Sequence, residues 1–247
     1  MTTVSSYLAE ATEREFRPSA PIRVVPNFVD PRVYTPEHRS TALRSLYAAP
    51  GCMLVGHLSN FRQVKRVPDV VRSFHAIQKK VPSHLLLIGD GTEIESARHL
   101  VLELGISRHV TFLGPIPQVA EILAQLDLFL LPSESESFGL AALEAMACGV
   151  PVVSTRTGGI PEVVEHNVTG ILCEVGDYTA MASAAISLLE DRARHAAMAA
   201  AARRRASESF PQDRIVTQYE AVYGEVVASR RASAGAAPPK GTQPARP

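Results

Sequence analysis

The chain has 247 residues, of which 46% are hydrophobic and 20% charged, and this balance predicts a soluble globular fold. Lys plus Arg and Asp plus Glu both number 25, so the net charge gives no electrostatic reason to expect nucleic acid or an anionic membrane as a partner. The first ten residues lack the basic and apolar regions of a secretory signal, and the three cysteines lack the spacing of a disulfide framework or zinc site. We therefore expect a cytoplasmic protein.

Short apolar runs alternate with segments of helical period along most of the chain. A helix over residues 4–16 and a short strand over 22–25 precede this alternation. The strands predicted within it are residues 52–58, 84–88, 110–113, 128–131, 152–154 and 171–173. The helices predicted between them are residues 68–80, 93–104, 119–126 and 138–147. Apolar strands without polar alternation indicate a sheet buried on both faces, and the strand–helix order predicts a parallel, doubly wound α/β fold.

The C-terminal part has a different pattern. Helical periodicity predicts helices over residues 178–189, 195–209 and 213–227. Residues 229–247 are rich in Ala, Pro, Gly and Arg with almost no large apolar side chain, so we expect a disordered tail there.

Two carboxylates, Glu136 and Glu144, flank the start of a predicted helix that follows an apolar strand. Ligands of parallel sheets bind beyond the carboxyl ends of strands, and a helix N-terminus favours phosphate. Carboxylates at such a place can accept hydrogen bonds from sugar hydroxyls. Two solvated surface charges are the alternative, although Glu144 stands in an unusually apolar run for an exposed carboxylate.

The stretch Ser-Glu-Ser-Glu-Ser-Phe-Gly-Leu-Ala-Ala-Leu-Glu-Ala-Met-Ala-Cys-Gly-Val-Pro-Val-Val at 133–153 resembles the Glu-x7-Glu signature of the family-four retaining glycosyltransferases. Thr-Gly-Gly-Ile-Pro-Glu at 157–162 is similar to the loop that follows in that family, and the resemblance covers residues 1–228. It implies a Rossmann-like domain that is the C-terminal, donor-binding half of a GT-B glycosyltransferase.

The resemblance also implies a role for each charged residue of the motifs. Glu136 becomes the catalytic carboxylate that faces the transferred sugar near its 3-hydroxyl, and Glu144 binds the ribose hydroxyls of the donor. Arg62 and Lys65 hold the diphosphate, for which a planar guanidinium and a compact ammonium are suitable partners. Ser59 adds a neutral hydrogen bond nearby.

Further donor-binding residues follow from the same resemblance. Asn60 joins Ser59 as a neutral partner of the donor, and Phe138, Gly139 and Leu140 form the helix start that faces it. A main-chain contact at Ile116 recognises the uracil base. For Ile116 the alternative is a plain strand end and turn, and for Arg62 and Lys65 it is a pair of ordinary surface cations.

Two further segments narrow the resemblance within the family. Corresponding segments of enzymes of the bacillithiol pathway are similar to residues 56–66 and residues 170–177. The first segment has the sequence Gly-His-Leu-Ser-Asn-Phe-Arg-Gln-Val-Lys-Arg. These enzymes join N-acetylglucosamine from UDP-N-acetylglucosamine to L-malate. The resemblance thus implies both that donor and that acceptor.

Other features have structural alternatives. Gly89-Asp90-Gly91 follows a strand and could cradle phosphate, and Gly158-Gly159 could approach the donor sugar, but both are also typical of tight turns. His57 is more often structural than catalytic at such a position. The chain contains no Asp-x-Asp pair, so we expect no metal and no cofactor.

These observations predict four regions. Residues 1–20 are a remnant helix of an acceptor domain, 21–210 a nucleotide-sugar-binding domain, 211–228 a crossover helix and 229–247 a disordered tail. The helix at 211–227 is expected to leave apolar surface exposed, which allows a homo-oligomer. L-malate is a partner only if an acceptor domain is supplied.

Three hypotheses of function remain open from the sequence. The first is the glycosyltransferase, with L-malate or another acceptor. The second is a module that binds UDP-sugar without turnover. The third is another enzyme class on the same fold, such as an epimerase or a phosphorylase. The charged residues at 62, 65, 136 and 144 favour the transferase over the phosphorylase.

Overall fold

The computed structural model describes residues 1–235, with side chains to residue 230. The strands are β1 Thr2–Thr3, β2 Arg23–Val24, β3 Met53–Leu58, β4 Ser83–Ile88, β5 Val110–Gly114, β6 Leu128–Leu131, β7 Val152–Thr155 and β8 Gly170–Cys173. The helices are α1 Ser6–Phe16, α2 Thr41–Ser45, α3 Val67–Gln78, α4 Ile94–Glu103, α5 Val119–Leu123, α6 Leu140–Ala147, α7 Ile160–Val163, α8 Tyr178–Glu190, α9 Arg192–Ser209 and α10 Gln212–Gly235. Short 3-10 turns occupy Pro36–His38, Gln63–Lys65 and Ser107–His109.

Six parallel strands form the main sheet in the order β5-β4-β3-β6-β7-β8. The chain builds outward from β3 through β4 to β5, returns to place β6 beside β3, and then builds outward again in the opposite direction. The order therefore reverses between β3 and β6, which is where doubly wound sheets open a crevice for ligands. The predicted α/β fold class is confirmed.

Both faces of this sheet are buried, as the apolar strands predict. Alternate residues of each strand point to opposite faces, so that Leu54 and Phe129 join one core while Val55 and Leu128 join the other. Helices α3, α4 and α8 cover the second face, and α5, α6 and α9 cover the first. Complete burial of each large apolar side chain contributes about 1.5–3 kcal/mol, so the two cores hold the strand ends in fixed positions.

Helix starts and ends differ from the predicted ones for local reasons. Helix α6 begins at Leu140 rather than at residue 138, because Gly139 adopts a left-handed φ of +98° that a helix cannot continue. Helix α5 ends early at Leu123, where the Leu126 amide bonds the carbonyl of Leu123 in a tighter turn. Helix α9 starts at Arg192, before the predicted residue 195, because the Asp191 side chain accepts from the Arg194 amide as a cap.

The two ends of the described chain add short elements. Strand β1 pairs with β2, so main-chain hydrogen bonds join the segments on either side of the boundary expected at residue 20. The start expected for the disordered tail, residue 229, is too early, because α10 continues to Gly235 through a stretch that contains the good helix formers Arg and Ala. The rest of that prediction, residues 236–247, lies outside the described residues. Within residues 1–235 no helix is long and apolar enough to cross a membrane.

Candidate functional site

The loops that follow β3 and β6 meet at the carboxyl edge of the sheet, where the strand order reverses. Residues 59–66 come after β3 and residues 132–139 after β6. The amide of Glu134 donates to the carbonyl of Val64 at 2.8 Å and ties the two loops together. Adjacent strands thus bring the two predicted motifs, remote in sequence, to one place.

Lys65 and Glu136 form an ion pair where the loops after β3 and β6 meet. The Lys65 Nζ lies 2.6 Å from Oε1 of Glu136, and the hydroxyl of Ser133 donates to the same oxygen at 2.8 Å. Both side chains are largely shielded, with 15% and 12% of their surfaces exposed, so water screens this pair less than a surface ion pair. Oε2 of Glu136 makes no hydrogen bond within the described residues and can accept one from a ligand.

Arg62 is the available cation of the same loop. Its side chain is exposed and forms no ion pair with any described residue. The neighbouring Arg66, by contrast, is held by Asp69 at 2.7 Å and approaches Glu134 at 3.8 Å. Arg62 and Lys65 therefore stand near one another in sequence, but only Arg62 is without a carboxylate partner.

Ser59 is positioned by His57, which is fully buried on β3. The ring Nδ1 lies 2.8 Å from the carbonyl of Leu130, which can only accept, so Nδ1 carries the proton. Nε2 is then the acceptor for the hydroxyl of Ser59, also at 2.8 Å. Burial lowers the pKa of His57 to about 4, which keeps the ring neutral at physiological pH. The structural role expected for His57 agrees with these contacts.

The Gly89-Asp90-Gly91 turn supports the β3 loop. A Cβ on Gly89 would overlap the carbonyl oxygen of Ser59, and one on Gly91 would lie 2.7 Å from main-chain atoms of Phe61. The Phe61 amide donates to the carbonyl of Asp90 at 2.8 Å. These contacts favour the structural interpretation of this turn over a phosphate cradle.

Asn60 and Ile116 lie just beyond the carboxyl ends of strands β3 and β5. Asn60 is exposed, and its side chain makes no hydrogen bond within the described residues. Ile116 follows β5, and its side chain packs against the core while its main-chain groups form no hydrogen bond within residues 1–235. Both positions are open to a ligand.

The three residues at the start of α6 lie in different surroundings. Phe138 packs edge-on against Phe210, with 5.5 Å between ring centroids, and is 3% exposed, so only its main chain can face a donor. Gly139 precedes the helix, whose first amides have no side-chain cap. Leu140 is exposed. Uncapped amides at a helix start favour an anionic ligand, and the helix dipole adds to this preference.

Glu144 lies further along α6 and makes no hydrogen bond to the Lys65–Glu136 pair. Its Oε1 instead accepts a hydrogen bond from the hydroxyl of Tyr34 at 2.8 Å. Burial raises the pKa of Glu144, and the hydrogen bond from Tyr34 opposes that rise. Sequence reasoning missed Tyr34, because 110 residues separate it from Glu144 and no motif marks it.

Gly158 and Gly159 support the main chain of the β6 loop. A Cβ on Gly158 would overlap the carbonyl oxygen of Glu136, to which the Gly159 amide donates at 2.9 Å. The hydroxyl of Ser5 donates to the carbonyl of Ser137 at 2.6 Å. The main chain beside Glu136 is thus fixed from two sides.

Of the supporting residues Ser133 and Ser5, only the first could have been predicted from the sequence. Ser133 follows strand β6 almost directly, so the rule that ligands bind beyond strand ends points to it. Ser5 has no such signal, since its contact with Ser137 spans 132 residues. Glu162, from the loop of the predicted motif, accepts from the amides of Ser6 and Tyr7 at 2.9 Å and adds to the cap of α1.

Comparison with known proteins identifies the family. The family model of the group 1 glycosyl transferases matches residues 49–205. The chain is 47% identical over 92% of its length to N-acetyl-alpha-D-glucosaminyl L-malate synthase of Bacillus anthracis. It is 33% identical over 82% of its length to a GDP-mannose-dependent phosphatidylinositol monomannoside mannosyltransferase of Mycobacterium tuberculosis. It spans 60% and 56% of the lengths of these two relatives.

A solved structure agrees with the fold. Anabaena HepE in complex with UDP and glucose superposes with a TM-score of 0.84 at 26% identity, over 90% of this chain and 62% of that one. The Rossmann-like domain of a GT-B glycosyltransferase, expected from the sequence motifs, is therefore confirmed. The chain belongs to the family of group 1 glycosyl transferases.

Proposed function

We propose that this chain carries the donor site of a retaining glycosyltransferase that moves N-acetylglucosamine from UDP-N-acetylglucosamine to L-malate. The observation that carries the proposal is the contact of Lys65 with Glu136 where the strand order reverses. In this proposal the cation serves the diphosphate and the adjacent carboxylate serves the sugar. The 47% identity to the Bacillus anthracis synthase supports the choice of donor and acceptor.

The diphosphate would bind between the two loops. Arg62 supplies a free guanidinium, Lys65 a partly shielded ammonium, and the uncapped start of α6 adds main-chain amides at Gly139 and Leu140. Negative charge grows on the diphosphate as the bond to the sugar breaks. Fixed donors at that place stabilise the transition state more than the ground state.

The two carboxylates have separate tasks in this proposal. Glu136 keeps one oxygen on Lys65 and Ser133 and offers the other to a hydroxyl of the transferred sugar. Glu144 accepts from the ribose hydroxyls, and the main chain of Ile116 contacts uracil. Lys65 then binds Glu136 and the diphosphate at once, which couples sugar position to phosphate position.

The overall reaction breaks the bond from the anomeric carbon to the diphosphate and forms one to the hydroxyl oxygen of malate. UDP leaves with the electron pair, and the proton of the hydroxyl is released. In this proposal malate binds to an acceptor domain that faces the same ends of the strands. The chain spans 60% of the length of the Bacillus anthracis synthase. A cytoplasmic location agrees with three cysteines that are all free thiols.

Calorimetric titration of the purified chain tests the donor site. We expect UDP and UDP-N-acetylglucosamine to bind more tightly than GDP and GDP-mannose, the nucleotides suggested by the mycobacterial relative. Arg62→Ala and Lys65→Ala should each weaken UDP binding by roughly 10- to 100-fold, the cost of losing a charge-assisted hydrogen bond. Arg203→Ala and Lys80→Ala remove the same charges from exposed positions elsewhere and should leave affinity unchanged.

Absence of UDP binding would refute the donor site, and equal effects of the site and control variants would refute the assigned phosphate contacts. A transfer assay with L-malate separates the remaining hypotheses. Transfer supports the complete proposal, and binding without transfer supports a UDP-sugar-binding module.

A further inference from the structure

Tyr34 makes a polar contact that the proposed mechanism does not yet use. It lies between β2 and the Pro36–His38 turn, far along the chain from α6, and its hydroxyl donates to Oε1 of Glu144 at 2.8 Å. The ring itself is half-buried and packs against the core. A tyrosine with an apolar body and a single engaged hydroxyl can fix its partner without any charge of its own.

The main chain around Tyr34 is held on both sides. The amide of Tyr34 donates to the carbonyl of Asp30 at 2.9 Å, and Asp30 is paired with Arg32. On the other side Thr35 caps the turn that follows, with its side chain accepting from the Glu37 amide. The hydroxyl of Tyr34 is therefore presented by a segment whose conformation is set independently of α6.

The contact leaves Glu144 with one occupied and one free oxygen. Oε1 is taken by Tyr34, whereas Oε2 forms no hydrogen bond within the described residues. A carboxylate that rotates freely must lose that freedom on binding two neighbouring hydroxyls. One that is already fixed loses less, so its affinity for them is greater.

We propose that Tyr34 is a positioning residue for the nucleoside part of the donor: it fixes Glu144 so that the free oxygen faces the vicinal hydroxyls of the ribose. This inference rests on the proposed function, since it assumes that Glu144 binds the ribose. It adds a residue outside the family motifs, from the segment that leads into the sheet domain.

The groups facing Glu144 set the pH dependence of this arrangement. Tyr34 stays protonated as a donor, because burial and the neighbouring carboxylate raise its pKa. Cys148, at the end of α6, stays a neutral thiol because burial and Glu144 raise its pKa to about 12. Within residues 1–230 no charged side chain from α5 or α9 pairs with Glu144. Tyr34 thus opposes the rise that burial causes in the pKa of this carboxyl.

The test compares UDP affinity of the wild-type chain and Tyr34→Phe by calorimetry between pH 5 and pH 8. We expect roughly a two- to tenfold loss at pH 7.5, the cost of immobilising on binding a side chain that Tyr34 no longer fixes. Because the lowering effect on Glu144 is lost, the affinity of Tyr34→Phe should also begin to fall at a higher pH than that of wild type. In a Glu144→Ala background, which has no acceptor for the Tyr34 hydroxyl, Tyr34→Phe should change neither property.

Tyr219→Phe is the matched control, because it removes a hydroxyl that donates to the carbonyl of Val25 at 3.3 Å, away from α6. It should bind UDP like wild type. Wild type that fails to bind UDP refutes the proposed function itself. Wild type that binds, with Tyr34→Phe equal to it in affinity and pH profile, overturns the role of Tyr34 alone.

A second ligand keeps the inference testable if Tyr34→Phe does not fold. Wild type should bind 2′-deoxy-UDP more weakly than UDP, because Glu144 would lose one of its two hydroxyl partners. Equal affinities would show that the fixed carboxylate does not bind the ribose and would overturn the inference.

Discussion

At the scale of single residues, Lys65 connects the two tasks of the proposed donor site. It is bound to Glu136 at 2.6 Å, so that carboxylate neutralises part of its charge. Among residues 1–230 Glu144 has no cationic partner, and it accepts a hydrogen bond from the neutral hydroxyl of Tyr34 instead. The two carboxylates of the Glu-x7-Glu motif therefore differ in what their removal does to neighbouring groups.

This difference predicts opposite outcomes for two alanine variants. Glu144→Ala should weaken UDP binding by roughly tenfold or more, since it removes the acceptor for the ribose. Glu136→Ala should leave UDP affinity unchanged or raise it, because Lys65 no longer shares its charge between a carboxylate and the diphosphate, while the added affinity for the N-acetylglucosamine group falls. Calorimetry with UDP and UDP-N-acetylglucosamine measures both effects, and equal losses of UDP affinity would contradict the separate roles.

His57 predicts a dependence of stability on pH. Its pKa falls from 6.5 to about 4 on folding, so between these values the unfolded chain binds a proton that the folded chain does not. Stability is unaffected above this window and falls as the pH drops through it, by about 2 kcal/mol between pH 7.5 and pH 5. Urea unfolding at both pH values should show a smaller loss for His57→Gln, and equal losses would contradict the prediction.

At the scale of elements, the loops at the carboxyl edge owe their shape to glycines and hydroxyl groups of neighbouring segments. Gly158 lies so close to the carbonyl of Glu136 that a Cβ would overlap it, and Gly89 lies equally close to the carbonyl of Ser59. Serine hydroxyls bond the main chain or the carboxylate of the same loops, from Ser5 and from Ser133. The positions of the charged side chains thus depend on neighbouring glycines and serines as well as on the charged residues themselves.

A pair of alanine substitutions separates backbone strain from this close packing. Gly158 and Gly105 both have left-handed φ values, of +56° and +67°, but a Cβ on Gly105 meets nothing within 4 Å. Gly105→Ala should cost about 1–2 kcal/mol of unfolding free energy from strain alone. Gly158→Ala should cost roughly 1–3 kcal/mol more and reduce binding of UDP-N-acetylglucosamine, because the main chain of Glu136 must move.

Urea unfolding and calorimetry on the two variants provide the measurement. A Gly158→Ala variant that matches Gly105→Ala in stability, with wild-type affinity for the nucleotide sugar, would show that the loop tolerates the displacement.

At the scale of the whole molecule, the last helix leaves apolar surface uncovered. Tyr223, Val226 and Val227 on α10 are 65%, 50% and 48% exposed, as the sequence predicts for this region. Exposed apolar side chains close together favour association with a second copy. The homo-oligomer and the division of the chain into four regions remain predictions.

Sedimentation velocity tests the association. The chain should show an average mass that rises with concentration, because burial of these side chains between copies is favourable. Tyr223→Ser with Val226→Ser should shift the molecule toward the monomer, whereas Ser substitutions at the exposed residues Leu102 and Val168, away from α10, should not. A concentration-independent monomer for the wild-type chain would contradict the prediction.

The sequence by itself determined the class of fold and the identity of the charged residues. Short apolar strands must bury both faces, and their alternation with helices favours parallel pairing. Together these patterns predict a parallel sheet covered by helices on both sides. The motif resemblance also selected Lys65 and Glu136, which the structure brings within 2.6 Å. Local patterns suffice for these features because each depends on residues close together in the chain or on a recognisable motif.

Only the tertiary structure decided how those residues are supported. The strand order that places β6 beside β3 creates the contact between the two loops, and no local pattern encodes that order. The partnerships of Tyr34 with Glu144, of His57 with Leu130 and of Ser5 with Ser137 depend on packing between segments that are 73 to 132 residues apart. A hydrogen bond requires two groups within about 3 Å, and only the completed fold fixes such distances between remote segments.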